Sequence, residues 1–301
     1  MKILKKIKKL YRSINHLSDI NNTSIEYIIR SNQLLGDART LISPLISPFV
    51  NGDVELTVSF TTYSKRIHDV HLVVESIAQQ TIKPNRLILW LDEKEFTLAT
   101  IPLILHKQIK RGLEIRFCPN YRSYKKLIPT LELYSHTNII TIDDDILYPY
   151  DFIEQLVNEA KLQPDCIIAH QVHKMKYNKQ NKLLPYSEWE LVSPNSEPSL
   201  YIFPVGIGGV YYPVNSLDPT CLNINEFLTL APNADDVWFK SMSLMKRIKC
   251  KKVNDNRIFS KRFLLIHHTQ DIALRNKNLE GSENDPQISA VFSKYNSFDK
   301  F

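Results

Sequence analysis

The sequence predicts an α/β fold, in which a Rossmann-like mixed and mostly parallel sheet is flanked by helices and preceded by an N-terminal helical appendage. Two observations support this prediction. From about residue 54 to 169, β-rich segments alternate with helix-length segments, and strands joined in this way usually pair in parallel. The chain has 301 residues and 43% hydrophobic content, which is enough to bury a sizeable core in one main domain.

The strands and helices are predicted in the following order. Strands are predicted at residues 54–62, 86–91, 114–117, 138–142 and 166–169, and helices near 67–80, 123–136 and 149–161. The pattern then becomes irregular until a strand near 201–205, a glycine cluster and a helix from about 235 to 247. Parallel sheets of this kind bind ligands at the carboxyl ends of their strands, so we expect functional residues in the loops that follow the strands.

The chain divides into an appendage over residues 1–53 and a main domain over residues 54–301. The appendage is predicted to contain two helices followed by a loop with Pro44, Pro48 and Gly52. The main domain begins with the first apolar strand.

The net charge of +6 is concentrated at the N-terminus. The remaining 289 residues carry 32 basic and 32 acidic groups, since six basic residues precede the first acid, Asp19. These six are Lys2, Lys5, Lys6, Lys8, Lys9 and Arg12. Nucleic-acid binding needs clustered positive charge on the folded surface, so the neutral body argues against a nucleic-acid partner. The tail also repeats apolar residues at helical spacing, which suits peripheral contact with an anionic membrane; a flexible solvated tail is the alternative.

The sequence also bears on the compartment of the protein. No stretch reaches the roughly 18 consecutive apolar residues of a membrane span, and the tail lacks the pattern of a signal peptide. We therefore expect a cytoplasmic protein, with peripheral association on the inner face of the cell membrane as an option. The four cysteines show no C-x-x-C spacing and are expected to be buried thiols.

Glycine usage narrows the type of nucleotide site. The loop after the first strand, T-T-Y-S-K-R at 61–66, contains no glycine. Dinucleotide fingerprints and P-loops need glycines at this place so that backbone amides can approach phosphates. A dehydrogenase and a P-loop enzyme are therefore both disfavoured.

The sharpest chemical signal is T-I-D-D-D-I at 141–146, where an apolar strand ends in three carboxylates. Strand alternation places Asp143 and Asp145 on one face. Two such carboxylates would repel a diphosphate unless a hard divalent cation, Mn²⁺ or Mg²⁺, lies between them. The alternative is that these aspartates only cap the following helix.

These motifs together resemble glycosyltransferases of the A-type fold, and more narrowly the family 2-like bacterial enzymes of polysaccharide and lipopolysaccharide assembly. The resemblance covers roughly residues 54–290. It rests on T-T-Y-S-K-R-I, on S-I-A-Q-Q-T-I-K-P-N-R-L-I-L-W-L-D, on the D-x-D-like aspartates and on a later A-D-D-V-W, which stand in the family's order.

The resemblance implies an activity. It implies sugar transfer from a nucleotide-diphosphate sugar to a glycan or lipid-linked acceptor, with Mn²⁺ or Mg²⁺ as cofactor. Residues 54–169 would form the nucleotide-binding half and residues 170–301 the acceptor-binding half.

The resemblance also assigns nucleotide contacts. Thr62, Arg66 and Asp92 match positions at which such enzymes contact the nucleotide, and a carboxylate such as Asp92 can accept a hydrogen bond from a base N–H. Lys126 lies where a cation can approach the donor phosphates, although lysines at helix starts are commonly solvated. Asp92 can also be read as an ordinary turn residue.

In the family, the first aspartate of the D-x-D motif meets the ribose and the last meets the metal. Asp145 is therefore the preferred metal ligand here, with Asp143 as a ribose contact or second ligand and Asp144 as an additional contact. A third metal ligand in similar enzymes can come from a histidine near the chain's end, where F-L-L-I-H-H offers His267 and His268, and His267 is the candidate. A histidine at the end of a strand can equally be structural.

The acidic pair Asp235 and Asp236 precedes a predicted helix. An inverting transfer needs a carboxylate that removes the acceptor hydroxyl proton, and Asp236 is the candidate base, with Asp235 beside it. Helix capping is the competing explanation. Gly208 and Gly209 lie in P-V-G-I-G-G-V-Y-Y-P, where close backbone approach to a donor or acceptor sugar is expected; a β-bulge is the alternative.

Two other functions fit parts of the sequence. A sugar-nucleotide nucleotidyltransferase shares the fold and metal chemistry, but usually carries a Gly- and Arg-rich loop after its first strand. A non-catalytic, membrane-associated subunit of glycan assembly would retain the fold without the activity.

Overall fold

The structure is a computed structural model and describes residues 22–49, 55–194, 196–266 and 284–295. The basic tail and His267 lie outside the described residues, as do residues 50–54 around the predicted start of the main domain. The division at residue 53 therefore stays a prediction.

The described part of the appendage is one helix, α1 (22–40), followed by an irregular segment. Leu34 on α1 and Leu45 after it are fully buried and belong to the same core cluster as the central strands. Backbone hydrogen bonds from Leu45 N to Arg111 O and from Ser47 N to Pro84 O, both 2.9 Å, hold this segment against the main domain.

Nine strands are described, seven of them in one sheet. In chain order they are β1 (Leu56–Thr61), β2 (Arg86–Asp92), β3 (Leu113–Cys118), β4 (Asn138–Thr141), β5 (Ile146–Leu147), β6 (Ile167–Lys174), β7 (Ile202–Tyr212), β8 (Cys250–Lys252) and β9 (Leu264–Leu265). The main sheet has the order β3-β2-β1-β4-β7-β6-β8, and β5 pairs with β9 separately.

The strand pairing confirms the predicted fold class. Strand β1 pairs in parallel with both β2 and β4, β2 pairs in parallel with β3, and β6 pairs in parallel with β8. Among the described strands of this sheet, only β7 runs antiparallel to its neighbours, β4 and β6. The separate pair of β5 and β9 is also antiparallel. The sheet is therefore mixed and mostly parallel.

After α1, the described helices connect these strands or pack on the sheet. They are α2 (Val70–Ala78), α3 (Leu103–Ile109), α4 (Ile128–Leu133), α5 (Phe152–Leu162), α6 (Ile224–Leu230), α7 (Asp235–Met245), α8 (Phe259–Arg262) and α9 (Asn284–Lys294). Buried apolar residues form two large clusters, consistent with a sheet covered on both faces. No helix among the described residues is long and apolar enough to cross a membrane.

The region predicted as a helix near 123–136 is instead divided. A 3-10 turn over Arg122–Lys126 precedes α4, and Leu127 between them has non-helical φ and ψ values of −127° and −48°. Pro129 in the first turn of α4 explains the break, because proline has no N–H with which to continue an earlier helix. The break places Lys126 at the sheet edge.

Candidate functional site

The carboxyl ends of β3, β2, β1 and β4 meet at one edge of the sheet, because these four strands are parallel neighbours. The predicted nucleotide and metal residues follow these ends. Thr62 and Arg66 follow β1, Asp92 ends β2, Lys126 follows β3, and the acidic triplet follows β4. The fold thus brings together residues spread over more than 80 positions of the sequence.

The middle acid of the triplet, Asp144, is bound on both carboxylate oxygens. Thr62 Oγ1 donates a hydrogen bond to Asp144 Oδ2 at 2.6 Å, and Arg66 Nη1 donates to Asp144 Oδ1 at 2.6 Å. Burial raises the pKa of Asp144 to about 6, although Arg66 acts in the opposite direction. Asp144 therefore fixes Thr62 and Arg66 at the end of β1.

Arg66 also contacts the third acid of the triplet. Its Nη2 lies 3.1 Å from Asp145 Oδ2. Burial lowers the pKa of Arg66, but Asp144 and Asp145 more than offset this, so the guanidinium remains charged. The Asp145 side chain is 13% exposed and that of Asp143 27%, so both carboxylates are partly exposed at this edge of the sheet, here called the cleft.

Lys126 connects the two acidic groups that the sequence singles out. Its Nζ lies 3.4 Å from Asp143 Oδ1 and 3.1 Å from Asp235 Oδ2. The second contact is an ion pair only, because that oxygen accepts no hydrogen bond from a described residue. Burial lowers the pKa of Lys126, yet Asp235, Asp143 and Asp236 raise it well above its usual value. Lys126 is therefore a buried cation between two carboxylates from distant segments.

The segment around Lys126 is fixed by buried hydrogen bonds. Thr130 on α4 pairs with Ser59 of β1 at 2.7 Å and accepts from Trp90 Nε1 of β2 at 2.8 Å. On the same 3-10 turn as Lys126, Ser123 Oγ donates to Asp235 Oδ1 at 2.9 Å. The start of α7 is thereby tied to the end of β3.

Asp236, the candidate base, is held by the backbone of β7. Gly206 N donates to Asp236 Oδ2 at 3.0 Å. Burial, together with the neighbouring Asp235, raises the pKa of Asp236 to about 7. A carboxylate in this state can accept a proton near neutral pH.

Gly206 also leaves space for the charged groups. A Cβ at this position would lie 2.8 Å from Lys126 Nζ and 3.2 Å from Asp236 Oδ1. The absence of a side chain therefore allows Lys126 and Asp236 to approach β7 closely.

Gly208 and Gly209, the predicted sugar-contacting glycines, have φ values of +83° and +89° within β7. A Cβ on Gly208 would lie 2.6 Å from the Phe259 ring, and one on Gly209 would lie 2.6 Å from the Phe152 ring. Both glycines thus allow β7 to bulge and to pack closely against aromatic rings. Their contact with a sugar stays a prediction.

The acidic turn has two further supports. Asp143 N donates to the hydroxyl of the buried Tyr148 at 2.9 Å, and Ile266 N donates to Asp145 O at 2.8 Å. The described range 196–266 ends at Ile266, so His267, the predicted third metal ligand, lies outside the described residues. Ile266 is therefore the last described residue before the candidate ligand, and its backbone is hydrogen-bonded to the backbone of Asp145.

Asp92 lies on the β3 side of the same edge. It is buried, and its Oδ1 accepts a hydrogen bond from Lys94 N at 2.9 Å. Lys125 is buried close by. Burial lowers the pKa of Lys125, and Asp92 is the acid that counteracts this most.

The residues present are compatible with a divalent cation. Asp143 and Asp145 offer hard oxygen donors at the cleft surface, and Mg²⁺ is commonly bound by one or two carboxylates that are supplemented by substrate phosphates and water. No group of three or more His, Cys, Asp or Glu side chains within the described ranges is arranged to hold a metal without such additional ligands.

Three contributors to the site were not predicted from the sequence: Ser123, Tyr148 and Gly206. Serine and tyrosine have no spacing that marks a contact with a distant carboxylate. Gly206 could have been found, since it belongs to the same glycine cluster as Gly208. By contrast, the two tyrosines that follow the glycine cluster, Tyr211 and Tyr212, are buried in the core clusters.

No family model matches the chain, and no curated protein matches its sequence. Among solved structures, it is similar to a mannosyltransferase, PcManGT from Pyrobaculum calidifontis in complex with GDP-Man and Mn²⁺, with TM-score 0.42 and 13% identity over 78% of this chain. The chain spans 63% of the length of that protein. It is also similar to a CMP:2-keto-3-deoxy-manno-octonic acid synthetase complexed with CTP, with TM-score 0.38 and 12% identity over 67% of this chain and 89% of the other. Both scores are low, so the fold class rests on the strand order and pairing described above.

Proposed function

We propose that this protein transfers a sugar from a nucleotide-diphosphate sugar to a glycan or lipid-linked acceptor, with inversion at the anomeric carbon and with Mn²⁺ or Mg²⁺ as cofactor. The observation that carries the proposal is the meeting of two acidic groups in one cleft. Lys126 bridges them, at 3.4 Å from Asp143 and 3.1 Å from Asp235. Bacterial surface polysaccharide synthesis is the setting that the sequence resemblance favours.

Asp145 and Asp143 would hold the metal, which supplies positive charge that stabilises the departing diphosphate. Arg66 and Lys126 add fixed positive charge on the protein side of the cleft, and Asp144 orients Arg66. Asp92 would accept a hydrogen bond from the nucleotide base.

Asp236 acts on the acceptor side. The acceptor hydroxyl oxygen bonds to the anomeric carbon while the bond from that carbon to the diphosphate oxygen breaks, and the electron pair leaves with the diphosphate. The hydroxyl proton passes to the Asp236 carboxylate. Its pKa of about 7 suits this proton transfer. The backbone N–H of Gly206 donates a hydrogen bond to Asp236 Oδ2 and so orients the carboxylate.

The test is a screen of nucleotide-diphosphate sugars by thermal shift, with and without Mn²⁺, followed by measurement of nucleoside diphosphate release. A ligand at about 100 times its Kd stabilises the fold by about 2.7 kcal/mol, so binding should be visible. Asp145→Asn should lose the Mn²⁺-dependent shift. Asp165→Asn, which changes an exposed acid outside the site, is the matched control and should respond like the wild type.

The outcomes separate the alternatives. Pyrophosphate release from a nucleoside triphosphate and a sugar phosphate would identify a nucleotidyltransferase instead. If no donor binds, or if Asp145→Asn and Asp165→Asn respond identically to Mn²⁺, the proposed function is wrong and a non-catalytic subunit becomes the better interpretation.

A further inference from the structure

The N-terminal half of α1 exposes an apolar face. Ile25, Ile28 and Ile29 are 54%, 55% and 64% exposed. Residues spaced by three and four positions lie on one side of a helix, so the three side chains form a continuous surface, here called the isoleucine face. The opposite side of α1 carries Leu34 and Ala38 into the core. The helix is thus fixed by one side while the other carries large aliphatic groups that no described residue covers.

The charge of the residues that precede α1 indicates which kind of partner surface fits the isoleucine face. All six basic residues that precede the first acid lie within residues 2–12, whereas the rest of the chain is balanced in charge. A second copy of the chain at this face would bring its own basic segment close to the first, and like charges would repel. An anionic lipid surface instead offers headgroups to the basic side chains and an apolar boundary to the isoleucines.

We propose that the isoleucine face of α1 docks on an anionic lipid bilayer, with the basic residues between positions 2 and 12 attracted to the headgroups. The face lies on a helix that is anchored to the main domain at Leu34 and Leu45, so docking places that domain directly at the membrane. The proposal does not depend on sugar transfer.

The test is sedimentation of the full chain with vesicles of phosphatidylcholine alone, or of phosphatidylcholine with about 30% phosphatidylglycerol. We expect binding to the anionic vesicles only, weakened by salt. The variant Ile25→Ser/Ile28→Ser/Ile29→Ser should bind about tenfold more weakly, since its apolar contact with the bilayer is removed. These side chains are exposed, so the variant should melt close to the wild type.

A matched control removes apolar surface elsewhere. Leu133, Leu162 and Ile258 are 53%, 72% and 60% exposed, and their joint replacement by serine should leave vesicle binding unchanged. Equal binding to neutral and anionic vesicles would overturn the proposal, as would equal loss in the two triple variants. Light scattering without lipid provides an independent check: a wild-type dimer that becomes monomeric in the isoleucine variant would assign the face to a second copy instead.

Discussion

Replacing Gly206 with alanine tests the proposed site most directly, because it adds one methyl group between two charged residues. The new Cβ would lie 2.8 Å from Lys126 Nζ, well inside the 3.4 Å at which ordinary contact begins, so the ammonium must retreat by about 0.6 Å. Lys126 would then weaken at least one of its ion pairs with Asp143 and Asp235. Gly206 itself has no positive φ, unlike Gly208 and Gly209 in the same strand, so alanine fits the backbone at this position.

The expected result is a loss of activity with little loss of stability. A misplacement of about 1 Å can lower a rate about 100-fold, so the smaller displacement of Lys126 should lower it by about tenfold or more. The free energy of unfolding should change by less than about 1 kcal/mol, because a flexible lysine end can move and alanine is favoured over glycine in strands. Nucleoside diphosphate release and urea unfolding measure the two quantities.

Two comparisons make this prediction sharp. Gly36→Ala is the matched control, since nothing lies within 4 Å of its added Cβ, and it should stabilise α1 without affecting the rate. In a Lys126→Met background, Gly206→Ala should cost much less additional activity, because the displaced group is gone. The assigned contact between position 206 and Lys126 would be refuted if Gly206→Ala kept full activity. It would also be refuted if Gly206→Ala cost as much activity in the Lys126→Met background as in the wild type.

Three further predictions concern stability. The pKa of Asp236 is raised from 3.8 to about 7, so the folded state binds its proton more tightly than the unfolded state, and metal-free wild type should lose stability as pH rises from about 4 to 7. Asp236→Asn should make this slope shallower in thermal melts, while Asp144, whose pKa is also raised, to about 6, should keep part of it. Tyr148→Phe removes the acceptor of Asp143 N–H and should cost about 1–3 kcal/mol in urea unfolding. Glu75→Ala leaves buried Arg111 without its ion pair at 2.6 Å and should cost about 3–5 kcal/mol by the same measurement, whereas a cost below about 1 kcal/mol would contradict the assigned buried pair.

The first half of the fold could be predicted from sequence because its signals are local. Strands β1, β2, β3 and β4 are short apolar runs bounded by polar turns, and each falls within one or two residues of its predicted limits. Their parallel pairing follows from the helix-length connections. The position of Thr62, Arg66, Asp92 and the acidic triplet at one edge follows from that pairing.

The second half could not be predicted in the same way. The predicted strand at 201–205 extends to Tyr212 as β7, which enters the sheet antiparallel between β4 and β6. Helices α6 and α9 were not predicted, since each repeats apolar residues at helical spacing over little more than one turn, as at Ile224, Phe227 and Leu228 in α6. The insertion of β7 depends on contacts with strands far away in the sequence, for which a local pattern carries no signal.

That insertion is the step on which the proposed site depends. Because β7 lies next to β4, Gly206 can hold Asp236 at 3.0 Å while Lys126 reaches Asp143 on the other side. Asp143, Asp235 and Asp236 would repel one another in a buried cleft, and Lys126 is the cation that all three act upon. A divalent cation at Asp143 and Asp145 would neutralise part of this negative charge in place of Lys126. Lys126 could then face the donor phosphates, which is the contact that the sequence resemblance assigns to it. Lys126→Met should therefore weaken nucleotide binding and also raise the dependence of folding on Mn²⁺, whereas a residue that bound only phosphate would affect the first alone.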